Sequence, residues 1–182
     1  MSLRAPDLVR LLRLKAHPEG GFYRETYRCE GRFPGSRFPG GRSYSTAILF
    51  LLTRGCVSRL HRIKSDELWH LYSGGPLIVV ELDPKRGRVR NVKLGPRKFQ
   101  HVVKAGTWFG AMLESGADYA LAGCTVAPGF EFRDFELGCR KKLMRRFPRS
   151  RGIIERFCPP TAPSSPAGGR RVSRRKAARK RR

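Results

Sequence analysis

Residues 55–74 read Gly55-Cys56-Val57-Ser58-Arg59-Leu60-His61-Arg62-Ile63-Lys64-Ser65-Asp66-Glu67-Leu68-Trp69-His70-Leu71-Tyr72-Ser73-Gly74. Two short runs, near 56–63 and 67–73, are rich in β-branched, Leu or aromatic residues and are parted by a polar turn, the pattern of two strands. Successive side chains of a strand alternate between faces, so His70, three residues from Glu67, points away from it. The pattern continues outward through segments near 43–53, 76–82, 87–94, 99–104 and 117–126. A spacing of roughly ten residues between turn signals predicts an antiparallel sandwich or barrel rather than βαβ units.

The flanks read differently. Residues 5–15 place Leu8, Leu11, Leu12 and Leu14 near helical spacing behind Pro6 and Asp7, which predicts a short amphipathic helix. Residues 17–21 are a turn by composition, 22–28 a strand, and 29–42, with Pro34, Pro39 and four glycines, a loop. Residues 138–157 predict helix with a break at Pro148. The stretch 159–169, PPTAPSSPAGG, cannot build a core. One domain over 1–158, followed by a disordered basic tail over 159–182, is therefore expected.

The chain has 182 residues, 39 Lys and Arg against 14 Asp and Glu, and a net charge of +25. Nine cations and no acid fall between Arg170 and Arg182, which leaves residues 1–158 at +16. Such a cluster suits nonspecific contact with nucleic acid or a nuclear import signal. No aromatic interleaves it, so base stacking is not indicated. The longest apolar run, 47–52, is too short to span a bilayer, and no signal peptide is evident, so a cytoplasmic protein without membrane contact is expected. A nuclear location follows instead if the tail acts as an import signal. Cys29, Cys56, Cys124, Cys139 and Cys158 are odd in number and contain no Cys-x-x-Cys, which argues for free thiols rather than a disulfide frame or zinc ribbon.

Gly55, His61, Glu67 and Gly74 match the first motif of the cupin superfamily, Gly-x5-His-x-His-x3-Glu-x6-Gly, with Ile63 at the second His. Lys104-Ala105-Gly106-Thr107-Trp108-Phe109 resembles the second, Pro-x-Gly-x2-His, with Lys104 for Pro and Phe109 for His. The opening His17-Pro18-Glu19-Gly20-Gly21-Phe22-Tyr23-Arg24-Glu25-Thr26 resembles the signature of one uncharacterised single-domain cupin family. Its later blocks are echoed by Ser45 to Ile48, Ser65 to His70, Gly106 to Phe109, Gly123 to Phe130 and Phe132 to Glu136. This resemblance, over roughly residues 8–157, implies a mainly β double-stranded β-helix (jelly roll) with a short N-terminal helix and C-terminal helices. It also implies a homodimer and an internal ligand cavity, but no settled reaction.

Two of the four cupin metal ligands are missing, and two protein ligands rarely hold a divalent ion, so neither a metal nor another cofactor is expected. His61 and Glu67 are the candidate catalytic pair, with Tyr23 as a candidate acid. This follows by analogy with the metal-free sugar-nucleotide 3,5-epimerases of the same fold, which pair a His base with a Tyr acid. Arg24 and Glu25, on opposite faces of one strand, are candidate ligand contacts, as are Trp69, His70, Tyr72, Gln100, Trp108 and Phe109. The reading is a protein that binds a small polar or anionic metabolite in the barrel, with metal-independent isomerisation or epimerisation as its chemistry and His61 as base. Two alternatives stay open. One is a non-catalytic ligand-binding or scaffold module carried to nucleic acid by its tail. The other is a metal-dependent enzyme with a substitute ligand set. The sequence does not decide whether the protein is an enzyme.

Overall fold

The computed structural model describes residues 3–35, 38–83 and 87–159. The expected boundary after 158 and the tail lie, but for Pro159, outside the described residues. Eight strands form the barrel: β5 (Thr46–Thr53), β6 (Val57–Arg62), β7 (Asp66–Gly74), β8 (Leu77–Asp83), β9 (Arg88–Leu94), β10 (Gln100–Val103), β11 (Trp108–Leu113) and β12 (Tyr119–Ala127). Their antiparallel pairings nest: β5 with β12, β6 with β11, β7 with β10 and β8 with β9. This nesting is the jelly roll. The chain folds as one long hairpin that wraps into two facing sheets.

Around this frame, β1 (Lys15–Ala16) and β2 (Phe22–Arg28) extend one sheet to the order β1-β2-β5-β12-β7-β10. The short β13 (Glu136–Leu137) edges the other, β13-β6-β11-β8-β9. Between the sheets, Phe50, Leu52, Trp69, Val79, Val103 and Phe109 make the central core. Helix α1 (Ala5–Leu11) lays Leu8 on the outer face of the six-stranded sheet, against Leu51. Helices α2 (Arg140–Arg146) and α3 (Arg151–Phe157) cover the outer face of the five-stranded sheet with Leu143, Phe147, Ile154 and Phe157. A 3-10 turn at Pro148–Ser150 separates them, at the proline break. No helix among the described residues is long and apolar enough to cross a membrane.

Some segments differ from the sequence reading. The helix expected over 5–15 ends at Leu11, where Arg13 turns to φ +51°, and Lys15–Ala16 pairs as β1. The expected loop 29–42 is a hairpin of β3 (Arg32–Gly35) and β4 (Phe38–Ser43). A two-stranded ribbon has only edges, where the N–H that proline lacks is not needed, so Pro34 and Pro39 do not forbid it. Strand β11 was not expected at all, because Gly110 interrupts a mixed apolar run. That glycine is required by close approach: a Cβ there would stand 2.5 Å from the Ser58 carbonyl oxygen and 2.7 Å from the Phe157 ring.

Candidate functional site

At one end of the barrel, between the sheets, lies a cavity of about 260 Å³. Glu19 reaches it from the turn between β1 and β2. Gly20 (φ +112°) and Gly21 (φ +72°) adopt the left-handed backbone that turns the chain back, and a Cβ on Gly20 would lie 2.3 Å from the Val57 carbonyl oxygen. The turn docks on β6 through the Arg59 N–H, which donates to the Glu19 carbonyl at 2.8 Å. Strand β6 supplies His61, β7 Glu67, β12 Cys124, and β2 Tyr23 and Glu25. The segment after β12 brings Phe130, Phe132 and Phe135 over the opening.

That strap is held by charge. Arg42 of β4, fully buried, grips Asp134 through two hydrogen bonds of 2.6 and 2.9 Å, and Lys64 approaches Asp134 at 3.3 Å. The Phe130 N–H donates to Thr46 Oγ1 at 2.9 Å. Arg28 at the rim bonds both Glu25 oxygens and reaches Glu131 at 3.3 Å.

The polar floor is a single hydrogen-bonded network. His61 Nδ1 lies 2.7 Å from the Arg59 carbonyl oxygen. A carbonyl only accepts, so the hydrogen sits on Nδ1 and Nε2 is bare. Nε2 faces Glu19 Oε2 at 3.2 Å, and the Ser58 hydroxyl donates to Glu19 Oε1 at 2.8 Å. The Glu19 N–H donates to His17 Nδ1 at 3.3 Å, which puts the His17 hydrogen on Nε2. Among the described residues His17 Nε2 makes no hydrogen bond, and the ring lines the cavity. The His17 ring sits among Tyr23, Phe50, Phe132 and Phe135, with centroids 4.5 to 6.1 Å away.

Burial drives this network toward its uncharged forms. It pushes Glu19 up to about 8, against the pull of the Ser58 hydroxyl. It raises Glu67 to about 7, with His61 opposing, Glu19 adding and the Cys124 thiol opposing. Burial lowers His61, against Glu67 and the Arg59 carbonyl, and lowers His17 to about 4 with help from His61 and Lys15. At neutral pH Glu19 is therefore held mainly protonated beside a neutral His61, and Glu67 stands near half ionisation.

The structure brings His61, Glu67, Tyr23 and Glu25 to one cavity. It does not bring the others there. Arg24 lies on the opposite face of β2 from Tyr23 and Glu25. His70, Tyr72 and Gln100 lie on the outer face of the six-stranded sheet. There Gln100 bonds His70 Nδ1 at 2.9 Å, and Tyr72 stacks on His70. Trp69 is inward but sealed in the core, and Phe109 packs on His61 with centroids 4.2 Å apart. Trp108 faces the C-terminal helices with Arg62 over its ring. The expected alternation of Arg24 against Glu25, and of His70 against Glu67, is what placed these side chains outside. Glu19 and His17 were missed as site residues, since a His-Pro-Glu-Gly-Gly run reads as a turn. The two adjacent glycines were the available signal that this turn could fold inward.

The residues do not fit the cupin metal. Ile63 lines the cavity and Phe109 fills the space beside His61, at two of the four ligand positions. The remaining bare nitrogen of His61 lies 3.2 Å from Glu19 Oε2. Among the described residues no group of three or more His, Cys, Asp or Glu is arranged to hold a metal ion.

Residues 6–138 match the family model described as cupin superfamily (DUF985), and the chain belongs to that family. It is similar to protein SO0799 of Shewanella oneidensis, with 34% identity, a TM-score of 0.78, and coverage of 86% of this chain and 98% of that one. A hypothetical protein from Leishmania major is 32% identical with a TM-score of 0.78, over 85% of this chain and 98% of that one. Oxalate decarboxylase from Bacillus subtilis shares the fold at 15% identity and a TM-score of 0.50, over 78% of this chain and 36% of that one. No protein of curated function matches the chain.

Proposed function

We propose that this protein binds a small anionic carbonyl metabolite in the barrel and catalyses its isomerisation or epimerisation by proton transfer, without a metal. The observation that carries the reading is the hydrogen-bond network. Ser58 holds Glu19, the Arg59 carbonyl holds His61, and His17, Glu67 and Tyr23 line an aromatic-walled cavity. Glu67, near half ionisation at neutral pH, is matched to general-base work. It takes the proton from the carbon next to the carbonyl. The C–H electron pair moves to the carbonyl oxygen, and the His17 N–H stabilises the charge that builds there. Return of a proton to the other face gives the epimer, and return to the neighbouring carbon gives the isomer. Tyr23 also lines the cavity; for the epimer its hydroxyl gives its own proton to the other face, and the proton held by Glu67 then restores it through solvent. His61 lies beside Glu19, with Nε2 3.2 Å from its Oε2, and serves to position it. Lys15 at the rim suits a carboxylate or phosphate. The volume of about 260 Å³ falls just below the ~300 Å³ from which ligand pockets run, and suits a single sugar or short acid.

The test uses the full chain in D2O with a panel of sugar phosphates and 2-oxo or 2-hydroxy acids, followed by proton NMR. Loss of one C–H signal, abolished by Glu67→Gln, is expected. Equal rates in both proteins, or no exchange with any member, count against the proposal.

A further inference from the structure

The C-terminal helices carry far more positive charge than their packing uses. Leu143, Phe147, Ile154 and Phe157 hold α2 and α3 on the sheet. Around these anchors, residues 140–156 present eight Lys and Arg and a single acid, Glu155. Arg140 and Arg151 approach Glu155 at 3.3 and 3.9 Å. Lys141, Lys142, Arg145, Arg146, Arg149 and Arg156 are exposed and have no acidic partner among the described residues. Lys141, Arg145 and Arg151 also line a shallow cleft where α2 meets α3.

The arrangement works against local stability. Cations open both helices, with no acid in either first turn, although the positive end of the helix dipole disfavours charge of that sign there. Repulsion among six uncompensated charges adds to the cost. Charge kept where it opposes the fold points to a partner that neutralises it.

We infer that the exposed face of α2 and α3 is a preformed docking surface for the phosphate backbone of duplex nucleic acid. Arg and Lys match phosphate, and a rigid face loses little freedom when it binds. The face exposes no large apolar side chain, whereas a helix that binds a lipid surface buries an apolar face in it. It exposes no aromatic either, so it offers no stacking platform for single strands. Residues 140–156 contain no Asn or Gln to read adenine, and the contact is therefore with backbone rather than sequence. The chain beyond 159 adds nine cations and no acid on the same side of the sequence.

The experiment uses the full-length chain, with those nine cations present in every sample, and one duplex of arbitrary sequence titrated with salt. K141Q/K142Q/R145Q removes three charges from this face. R4Q/R10Q/R13Q removes three around α1, on the opposite side of the sandwich, and serves as the control. Each phosphate contact contributes about 0.9 to the slope of log affinity against log salt, so the first variant should be shallower by about 2–3. At ~0.1 M salt this amounts to a loss of several hundred-fold in affinity. The control should keep most of the wild-type slope and affinity. Equal changes in both variants would mean that net charge alone acts, and would overturn the proposal. So would no change in either. Anionic phospholipid vesicles provide the last arm: a loss of vesicle binding with duplex binding intact would assign the face to membranes instead.

Discussion

Replacing Glu19 with Gln should change how stability depends on pH, and the sign follows from the site. In the unfolded chain Glu19 ionises near its ordinary 4.5, but in the folded protein it stays protonated up to about 8. Between those values the folded state holds the extra proton, so stability falls as pH rises. Glu67 acts in the same direction, up to about 7. The two imidazoles act oppositely. Their folded values are lowered, to about 4 for His17, so their effect is a gain of stability as pH rises toward 6.5, complete above it. Between pH 6.5 and 8 the carboxyls dominate, and each imidazole, half titrated at 6.5 in the unfolded chain, returns only about 0.4 kcal/mol. At about 1.4 kcal/mol per pH unit, Glu19 removes roughly 2 kcal/mol across the window and Glu67 up to ~1 kcal/mol. In Glu19→Gln the amide N–H can donate to His61 Nε2 and its oxygen can accept from Ser58, so the packing is kept. Urea unfolding at the two pH values should show a net loss of about 1–2 kcal/mol for the wild type and little change for the variant. Equal stability of the wild type at pH 6.5 and 8, or an equal loss in both proteins, would refute a protonated Glu19.

Asp134→Asn should destabilise by roughly 2–4 kcal/mol in the same assay, because it leaves the buried Arg42 without its countercharge. Burial alone would raise the Asp134 pKa, but Arg42 and Lys64 hold it below the usual range. The wild-type advantage should thus be present above pH ~4 and fade in stronger acid. Gly110→Ala forces a methyl against the Ser58 carbonyl and the Phe157 ring and should cost about 1–3 kcal/mol, read by thermal unfolding. Removal of residues 160–182 should leave the unfolding midpoint unchanged and make the salt dependence of duplex binding less steep, since nine cations go with it.

The fold was legible because its decisive signals are local. Short runs rich in β-branched, Leu or aromatic residues, parted by turn signals, announce strands, and a composition break ends the domain reading. Strand β11 was hidden because Gly110 and Met112 lower its strand character, while its place is secured by β6 and β8 on either side. The site was half legible. Strand parity separates Glu67 from His70 and Glu25 from Arg24 without any structure. That Glu19 meets His61 depends on a turn packing onto a strand some forty residues away, a nonlocal contact that no periodicity encodes. The aromatic strap is likewise set by the long-range pair of Arg42 and Asp134.

Nitrogen-15 NMR of the imidazoles in the full-length protein at pH 7 tests the central claim most directly, since that claim rests on where the protons of the network lie. The account predicts neutral rings in opposite tautomers, with His61 protonated on Nδ1 toward the Arg59 carbonyl and His17 on Nε2 toward the cavity. An imidazolium at either position, or His17 carrying its hydrogen on Nδ1, would contradict it.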